Sequence, residues 1–150
     1  MAMFADITTL YEALQQTETA DPFTETLHLV DLLAGGALRQ PLLAKHGLSL
    51  PELLAGHQAG HPWEYILGWT TFMGLTFHCR PGALIPRAET ELLAQTVLAH
   101  LRALSADVEP LVIDMGTGSG NIAVALAVHV PRSRILASDI SAEAVALARE

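Results

Sequence analysis

The chain has 150 residues, which suits one domain of ordinary size or two small ones, and with 51% hydrophobic residues its composition does not limit the formation of a core. Its net charge of −8 argues against binding to a nucleic-acid backbone, because such binding requires a basic surface. The single cysteine, Cys79, excludes an internal disulfide.

The first part of the chain carries helical patterns. Within residues 5–17 the apolar side chains recur at i, i+3, i+4 and i+7, and Asp6 precedes them as a candidate N-cap. A second helix is predicted over residues 21–36, where a glycine pair would end it. Its apolar pattern consists of Leu27, Val30 and Leu33 with their neighbours.

Further helical patterns follow before residue 60. The pattern in residues 37–47 is interrupted by Pro41, and Ser49 followed by Glu52 forms a capping-box pattern for another helix. Short helices joined by short loops must pack on one another to bury their apolar sides. We therefore predict a small helical bundle over residues 1–65.

The pattern changes in residues 66–82, which are rich in threonine and aromatic side chains with Gly74 near the middle. Two short strands around a tight turn fit this composition, so we predict a β-hairpin that links the bundle to the rest of the chain.

Residues 83–150 form a third region, in which helical and strand patterns alternate. A helix is predicted over 89–104, with an apolar stripe on Leu93, Val97, Leu101 and Leu104. Strands are predicted at 110–115 and 133–139, each followed by a helix. This order predicts the first part of a Rossmann-like α/β sheet.

A glycine-rich turn, "DMGTGSG" at 114–120, lies between the first of these strands and its helix. Glycines allow a tight turn and close approach of a ligand, and unpaired N–H groups at a helix N-terminus favour a carboxylate or phosphate. Asp139, which ends the next strand, is placed to accept hydrogen bonds from both hydroxyls of a ribose. The ligand is therefore a dinucleotide or S-adenosylmethionine (SAM), and the G-x-G-x-G spacing favours SAM.

A longer stretch narrows the choice. Residues 61–93, "HPWEYILGWTTFMGLTFHCRPGALIPRAETELL", followed by the glycine-rich turn, resemble the HemK/PrmC-type N5-glutamine methyltransferases of peptide-chain release factors. The matching pieces are "YILG", "F-x-G-L-x-F", "LIPRAETE" and "DMGTGSG". The resemblance implies a SAM-dependent methyltransferase domain of the Rossmann-like class, with a helical bundle that helps to dock the release factor.

The resemblance also implies roles for individual residues. Five residues of the turn would face the methionine and ribose parts of SAM: Gly116, Thr117, Gly118, Ser119 and Gly120. Asp139 would bind the ribose hydroxyls, and Asp114 would orient the turn. Arg87 and Thr90 would line the methionine side of the cofactor, or else serve only as a cap and a surface charge at a helix start.

The sequence departs from the family pattern at two places. Ala88 stands where the family usually has proline, and the family's Asn-Pro-Pro-Tyr motif, which holds the substrate amide, does not occur in the chain. We therefore assign no catalytic residue, and expect residues 1–150 to be an incomplete and inactive copy of the enzyme.

Other readings stay open. They are a methyltransferase acting on adenine or on a ribosomal protein glutamine, an NAD-binding oxidoreductase domain, and a non-catalytic docking module. No metal site is expected, because only His57 and His61 among the seven histidines are four residues apart, and Gly60 and Pro62 interrupt any helix there. With no basic signal segment and no long apolar run, we expect a cytoplasmic protein.

Overall fold

A computed structural model describes residues 2–17, 19–35 and 50–150 of the chain. The chain divides into two compact units, Met1–Gly68 and Trp69–Glu150, so the hairpin belongs to the second unit. The predictions for residues 37–47 and for the capping box at Ser49 fall outside the described residues.

The described part of the first unit is helical. Its helices are α1 (Ala2–Gln15), α2 (Pro22–Gly35), α3 (Leu50–Gln58) and α4 (Trp63–Leu67). Proline suits the first position of α2, and Asp21 caps that helix by accepting a hydrogen bond from the N–H of Thr24 at 3.1 Å. The core of this unit is built from Leu10, Leu14, Leu29, Leu32, Leu53 and Trp63.

Two predictions about these helices are wrong. Helix α1 begins at Ala2, so Asp6 lies inside the helix and is not its N-cap. The pattern of α2 is wrong at Leu27, which is 52% exposed, whereas its neighbours Leu29 and Leu32 are buried. Apolar residues occupy most sides of α2, and periodicity alone therefore does not identify the side that packs.

The second unit begins with the predicted hairpin, formed by β1 (Trp69–Phe72) and β2 (Leu75–His78) in antiparallel register. Helix α5 (Ala88–Ala103) follows, and then β3 (Leu111–Met115), α6 (Asn121–His129), β4 (Arg134–Ser138) and α7 (Ala142–Ala148). Strands β3 and β4 pair in parallel, from Leu111 opposite Arg134 to Met115 opposite Ser138. With α6 between them they form a β-α-β unit, as the alternating pattern predicted.

The hairpin packs on α5 and α6 through a cluster of Phe72, Phe77, Ala94 and Ala125. The rings of Phe72 and Phe77 meet edge to face, with centroids 6.1 Å apart. The predicted stripe of α5 is confirmed at Leu101, which is buried, and at Val97 and Leu104, which pack against apolar neighbours. It is wrong at Leu93, which is 55% exposed, while Ala94 and Leu98 are buried instead. The small side chain of Ala94 lets α5 approach the two phenylalanine rings closely.

The two faces of the β3–β4 sheet differ in burial. Val112 and Ile135 pack against a second apolar cluster between α5 and α6. The opposite face exposes a row of apolar side chains: Leu111, Ile113, Met115 and Leu136. Within residues 2–17, 19–35 and 50–150, none of the helices has the length and hydropathy that a membrane span needs.

Candidate functional site: the glycine-rich turn

The glycine-rich turn is held on the ends of both parallel strands. It leaves β3 at Met115, and the N–H groups of Gly116 and Thr117 both donate to the carbonyl oxygen of Ser138, at 2.8 and 2.9 Å. Ser138 is the last residue of β4. Because parallel strands end at the same edge of a sheet, the turn and the end of β4 lie together at the edge where α/β proteins bind ligands.

The three glycines have different surroundings. Gly116, Gly118 and Gly120 all have positive φ angles, of 79°, 57° and 79°. A Cβ atom added at Gly116 or Gly118 would meet no atom within 4 Å, whereas one at Gly120 would lie 3.1 Å from the Cβ of Ala148. The first two glycines therefore leave their backbone open to a ligand, while the third also allows α6 to pack closely on α7.

Two carboxylates fix the shape of the turn. Asp114, at the end of β3, accepts a hydrogen bond from the Thr117 hydroxyl at 2.7 Å. Asp139 accepts from the N–H of Gly118 through Oδ2 and from the N–H of Ser141 through Oδ1, both at 2.9 Å. Asp114 therefore ties the turn to its own strand, and Asp139 ties it to the neighbouring one.

The hydrogen bonds to Asp139 also keep it charged. Bonds from the backbone N–H groups of Ser141 and Gly118, in that order of importance, hold the pKa of Asp139 below its ordinary value of 3.8. Each carboxylate oxygen has a further lone pair, so the side chain keeps the capacity to accept two more hydrogen bonds, for example from the hydroxyls of a ribose.

The turn offers fewer free N–H groups than the sequence pattern suggested. The N–H groups of Gly116 and Thr117 donate to Ser138, and that of Gly118 donates to Asp139. The N–H of Gly120 donates to the carbonyl of Thr117 at 2.9 Å. The N–H of Ser119 has no acceptor within the described part of the chain. It and the first turn of α6 supply the donors that remain for an anionic group.

The side chains of Thr117 and Ser119 are buried, with 5% and 6% of their surface exposed. The Thr117 hydroxyl bonds to Asp114, and Ser119 lies beside the Asn121 side chain. Little of either residue is therefore exposed at the turn.

Arg87 and Thr90 lie at the beginning of α5. Arg87 occupies the N-cap position, but its side chain makes no capping hydrogen bond. In the part of the chain that the structure describes, no hydrogen bond or ion pair connects either side chain to the glycine-rich turn. The structure thus brings together the turn, Asp114 and Asp139, and does not link Arg87 or Thr90 to them.

One contributor to the site was missed in the sequence. Ser141 caps α7 by accepting from the N–H of Ala144 at 3.2 Å, and its own N–H orients the Asp139 carboxylate. The signal was present, because a serine directly before the helical pattern of residues 142–148 is a typical N-cap.

Comparison with known proteins agrees with this geometry. Residues 88–150, which contain the turn and both carboxylates, match the family model of the methyltransferase small domain. The release factor glutamine methyltransferase of Streptomyces coelicolor is 33% identical over 146 residues, which is 95% of this chain and 52% of that protein. The corresponding protein of Bordetella pertussis is 43% identical over 108 residues, which is 72% of this chain and 39% of that protein.

The chain is similar to these two release factor glutamine methyltransferases over most of its own length. The resemblance predicted from "YILG", "F-x-G-L-x-F", "LIPRAETE" and "DMGTGSG" is thereby confirmed. The match with the S. coelicolor enzyme includes most of both units and is not restricted to the glycine-rich turn that many methyltransferases share. The chain spans about half of the length of the S. coelicolor protein and 39% of the length of the B. pertussis protein.

Proposed function

We propose that the protein containing this chain is a SAM-dependent methyltransferase that modifies N5 of the glutamine in the Gly-Gly-Gln motif of peptide-chain release factors. The observation that carries the cofactor half of this proposal is the hydrogen bond from the Gly118 N–H to Asp139. It joins an open glycine turn to the carboxylate of the neighbouring strand, as the binding of a ribose next to an amino-acid tail requires. The parallel β-α-β unit supports a Rossmann-like fold for the whole domain.

The residues of the turn fit the parts of SAM, which supplies a methyl group activated by a sulfonium. The open positions at Gly116 and Gly118 leave room for the methionine portion beside the backbone. The N–H of Ser119 and the N-terminus of α6 would stabilise its carboxylate. Asp139 would accept from the ribose hydroxyls, and Asp114 would hold the turn in shape. Arg87 and Thr90 are included on the resemblance alone.

Methyl transfer to the substrate amide depends on orientation. An amide nitrogen is a poor nucleophile, so the enzyme has to align it with the methyl group and exclude water. Orientation of this kind lowers the activation barrier by up to about 7–11 kcal/mol in the best cases. No residue of this chain is assigned to that task. We propose instead that the first unit docks the release factor. That unit carries eight acidic residues against Arg39 and Lys45, a balance suited to a basic protein surface.

Cofactor binding by the chain provides the first test. Isothermal titration calorimetry with SAM and with NAD should show binding of SAM alone. Asp139→Asn should weaken it, and Asp31→Asn, which removes the same charge from an exposed site on α2, should not. Failure of both this chain and the full-length gene product to bind SAM would overturn the proposal, and binding of NAD would favour the oxidoreductase reading.

Substrate choice is tested on the full-length gene product. With radiolabelled SAM, methyl transfer to a release factor, lost when the Gly-Gly-Gln glutamine is replaced, is the expected result. Transfer to a ribosomal protein or to adenine instead would support the related methyltransferases. Binding of a release factor without any transfer would support the docking module.

A further inference from the structure

The turn of the hairpin has an unusual backbone. Both central residues, Met73 and Gly74, have positive φ angles, of 52° and 77°. A two-residue turn of this kind favours Asn-Gly, because a side chain is disfavoured in the left-handed region. Met73 is the one residue other than glycine with a positive φ among those described. Something in the surrounding structure must therefore stabilise a methionine there.

Two side chains from other elements hold the backbone of Met73. Its N–H donates to Oε1 of Glu91, in the first turn of α5, at 2.6 Å. Its carbonyl oxygen lies 3.2 Å from Nε2 of His129, the last residue of α6. A carbonyl only accepts, so Nε2 carries the proton and donates. Both polar backbone groups of this residue are thus bonded to side chains, one from each helix.

The Met73 side chain reinforces this attachment. It is half-buried and packs against both apolar clusters of the second unit, the one with Phe72 and Phe77 and the one with Leu126 and Val130. The tip of this hairpin is therefore packed between α5 and α6, whereas the tips of most hairpins project into solvent.

We propose that Glu91 and His129 are positioning residues that fix the hairpin on α5 and α6, and that binding of the release factor depends on this attachment. The hairpin begins at Trp69, directly after the last residue of the first unit. Helix α6 carries the glycine-rich turn at its beginning and His129 at its end. The effect on binding of a release factor rests on the proposed function.

A simpler explanation of Glu91 is that its negative charge stabilises the N-terminus of α5. Glu89 provides a matched control, because it lies in the same first turn of α5 and carries the same charge. Glu91→Gln provides a second, since it removes the charge but keeps an oxygen that accepts from Met73. A charge effect and a hydrogen-bond effect therefore predict different results.

Amide hydrogen exchange of Met73, measured by NMR on the 150-residue chain, tests the attachment. We expect exchange to accelerate about tenfold or more in Glu91→Ala, and to stay within about threefold of the original chain in Glu91→Gln and Glu89→Ala. The amide of Leu126 in the core reports on global unfolding and should not change. Equal Met73 exchange in Glu91→Ala and Glu89→Ala, or acceleration of both amides together, would overturn the inference.

Kinetics of the full-length gene product test the consequence. Glu91→Ala and His129→Ala should raise KM for the release factor several-fold while leaving the Kd for SAM unchanged. His100→Ala, an exposed histidine on α5, should alter neither. If no release factor is methylated, the proposed function fails, yet the exchange experiment still decides the attachment. If methylation occurs and KM in Glu91→Ala equals that in Glu89→Ala, the positioning role is wrong.

Discussion

Asp139 Oδ2 accepts a hydrogen bond from the backbone N–H of Gly118 at 2.9 Å, across 21 positions of sequence. This bond joins the turn after β3 to the residue that follows β4. A carboxylate in this place has two tasks, since it holds the turn and keeps lone pairs free for a ligand. Its removal should therefore affect ligand binding more than folding.

Replacement of Asp139 by asparagine should lower SAM affinity about 10- to 100-fold, because the ribose hydroxyls lose a charged acceptor. Calorimetry gives the affinity and thermal unfolding gives the stability. Asparagine keeps one of the two acceptor oxygens, so we also expect Tm to fall, because the hydrogen bond from Gly118 or from Ser141 is lost. An affinity equal to that of the control Asp31→Asn would exclude Asp139 from the cofactor site.

The charge of Asp139 also predicts a pH dependence. Its pKa is held below 3.8 by the N–H groups of Ser141 and Gly118. The stabilisation is therefore complete above 3.8 and is lost as the pH falls through the lower folded-state pKa. Carbon-13 NMR of the side-chain carboxyl should give a midpoint below 3.8. A midpoint at or above 3.8 would contradict the hydrogen bonds described.

Replacing Gly118 or Gly120 by alanine should distinguish the glycine that leaves room for the cofactor from the one that allows α6 to pack on α7. Gly118→Ala places a methyl group in open space beside the backbone, so it should reduce SAM affinity and cost about 1–2 kcal/mol for the left-handed conformation. Gly120→Ala has the same backbone cost and also crowds Ala148, so it should be the more destabilising change in urea unfolding. Adding Ala148→Gly should recover part of that stability, and no recovery would argue against the packing role.

Arg132 should matter for the stability of the second unit. Its guanidinium donates to four carbonyl oxygens in the last turn of α5 and the loop after it, those of Leu101, Leu104, Ser105 and Val108. Arg132→Ala should cost about 1–3 kcal/mol in urea unfolding, because these carbonyls lose a charged donor. Arg134→Ala removes the same side chain from an exposed strand position and is the control. Equal losses in the two variants would show that Arg132 has no special role.

The bare face of the β3–β4 sheet predicts self-association of the 150-residue chain. Leu111, Ile113, Met115 and Leu136 are 56%, 62%, 81% and 55% exposed, and contiguous apolar surface of this kind promotes association. Light scattering should show a mass that rises with concentration. Ile113→Lys should reduce the rise, whereas Leu84→Lys, at a 73% exposed position before α5, should not. A monomer at all concentrations would contradict the prediction.

The order of elements in the second unit could be predicted because each has a strong local signal. The β-hairpin, the parallel strands and the helix after the glycines all occur where composition and spacing indicated. Ala88 is the first residue of α5, a position where proline or a good helix former fits equally well. The buried sides of α2 and α5 could be predicted only in part, because both helices have apolar residues on several sides and only the neighbouring elements select one.

The sequence by itself determined the position of the candidate ligand site and the resemblance to the release factor glutamine methyltransferases, because "DMGTGSG" and "LIPRAETE" are local patterns. Only the tertiary structure decided which atoms of the turn remain available. It showed that Asp139 bonds to Gly118, that Gly120 packs on Ala148, and that Glu91 and His129 hold Met73. These partners lie 18 to 56 positions apart, and such pairings depend on how elements pack, which no local pattern encodes.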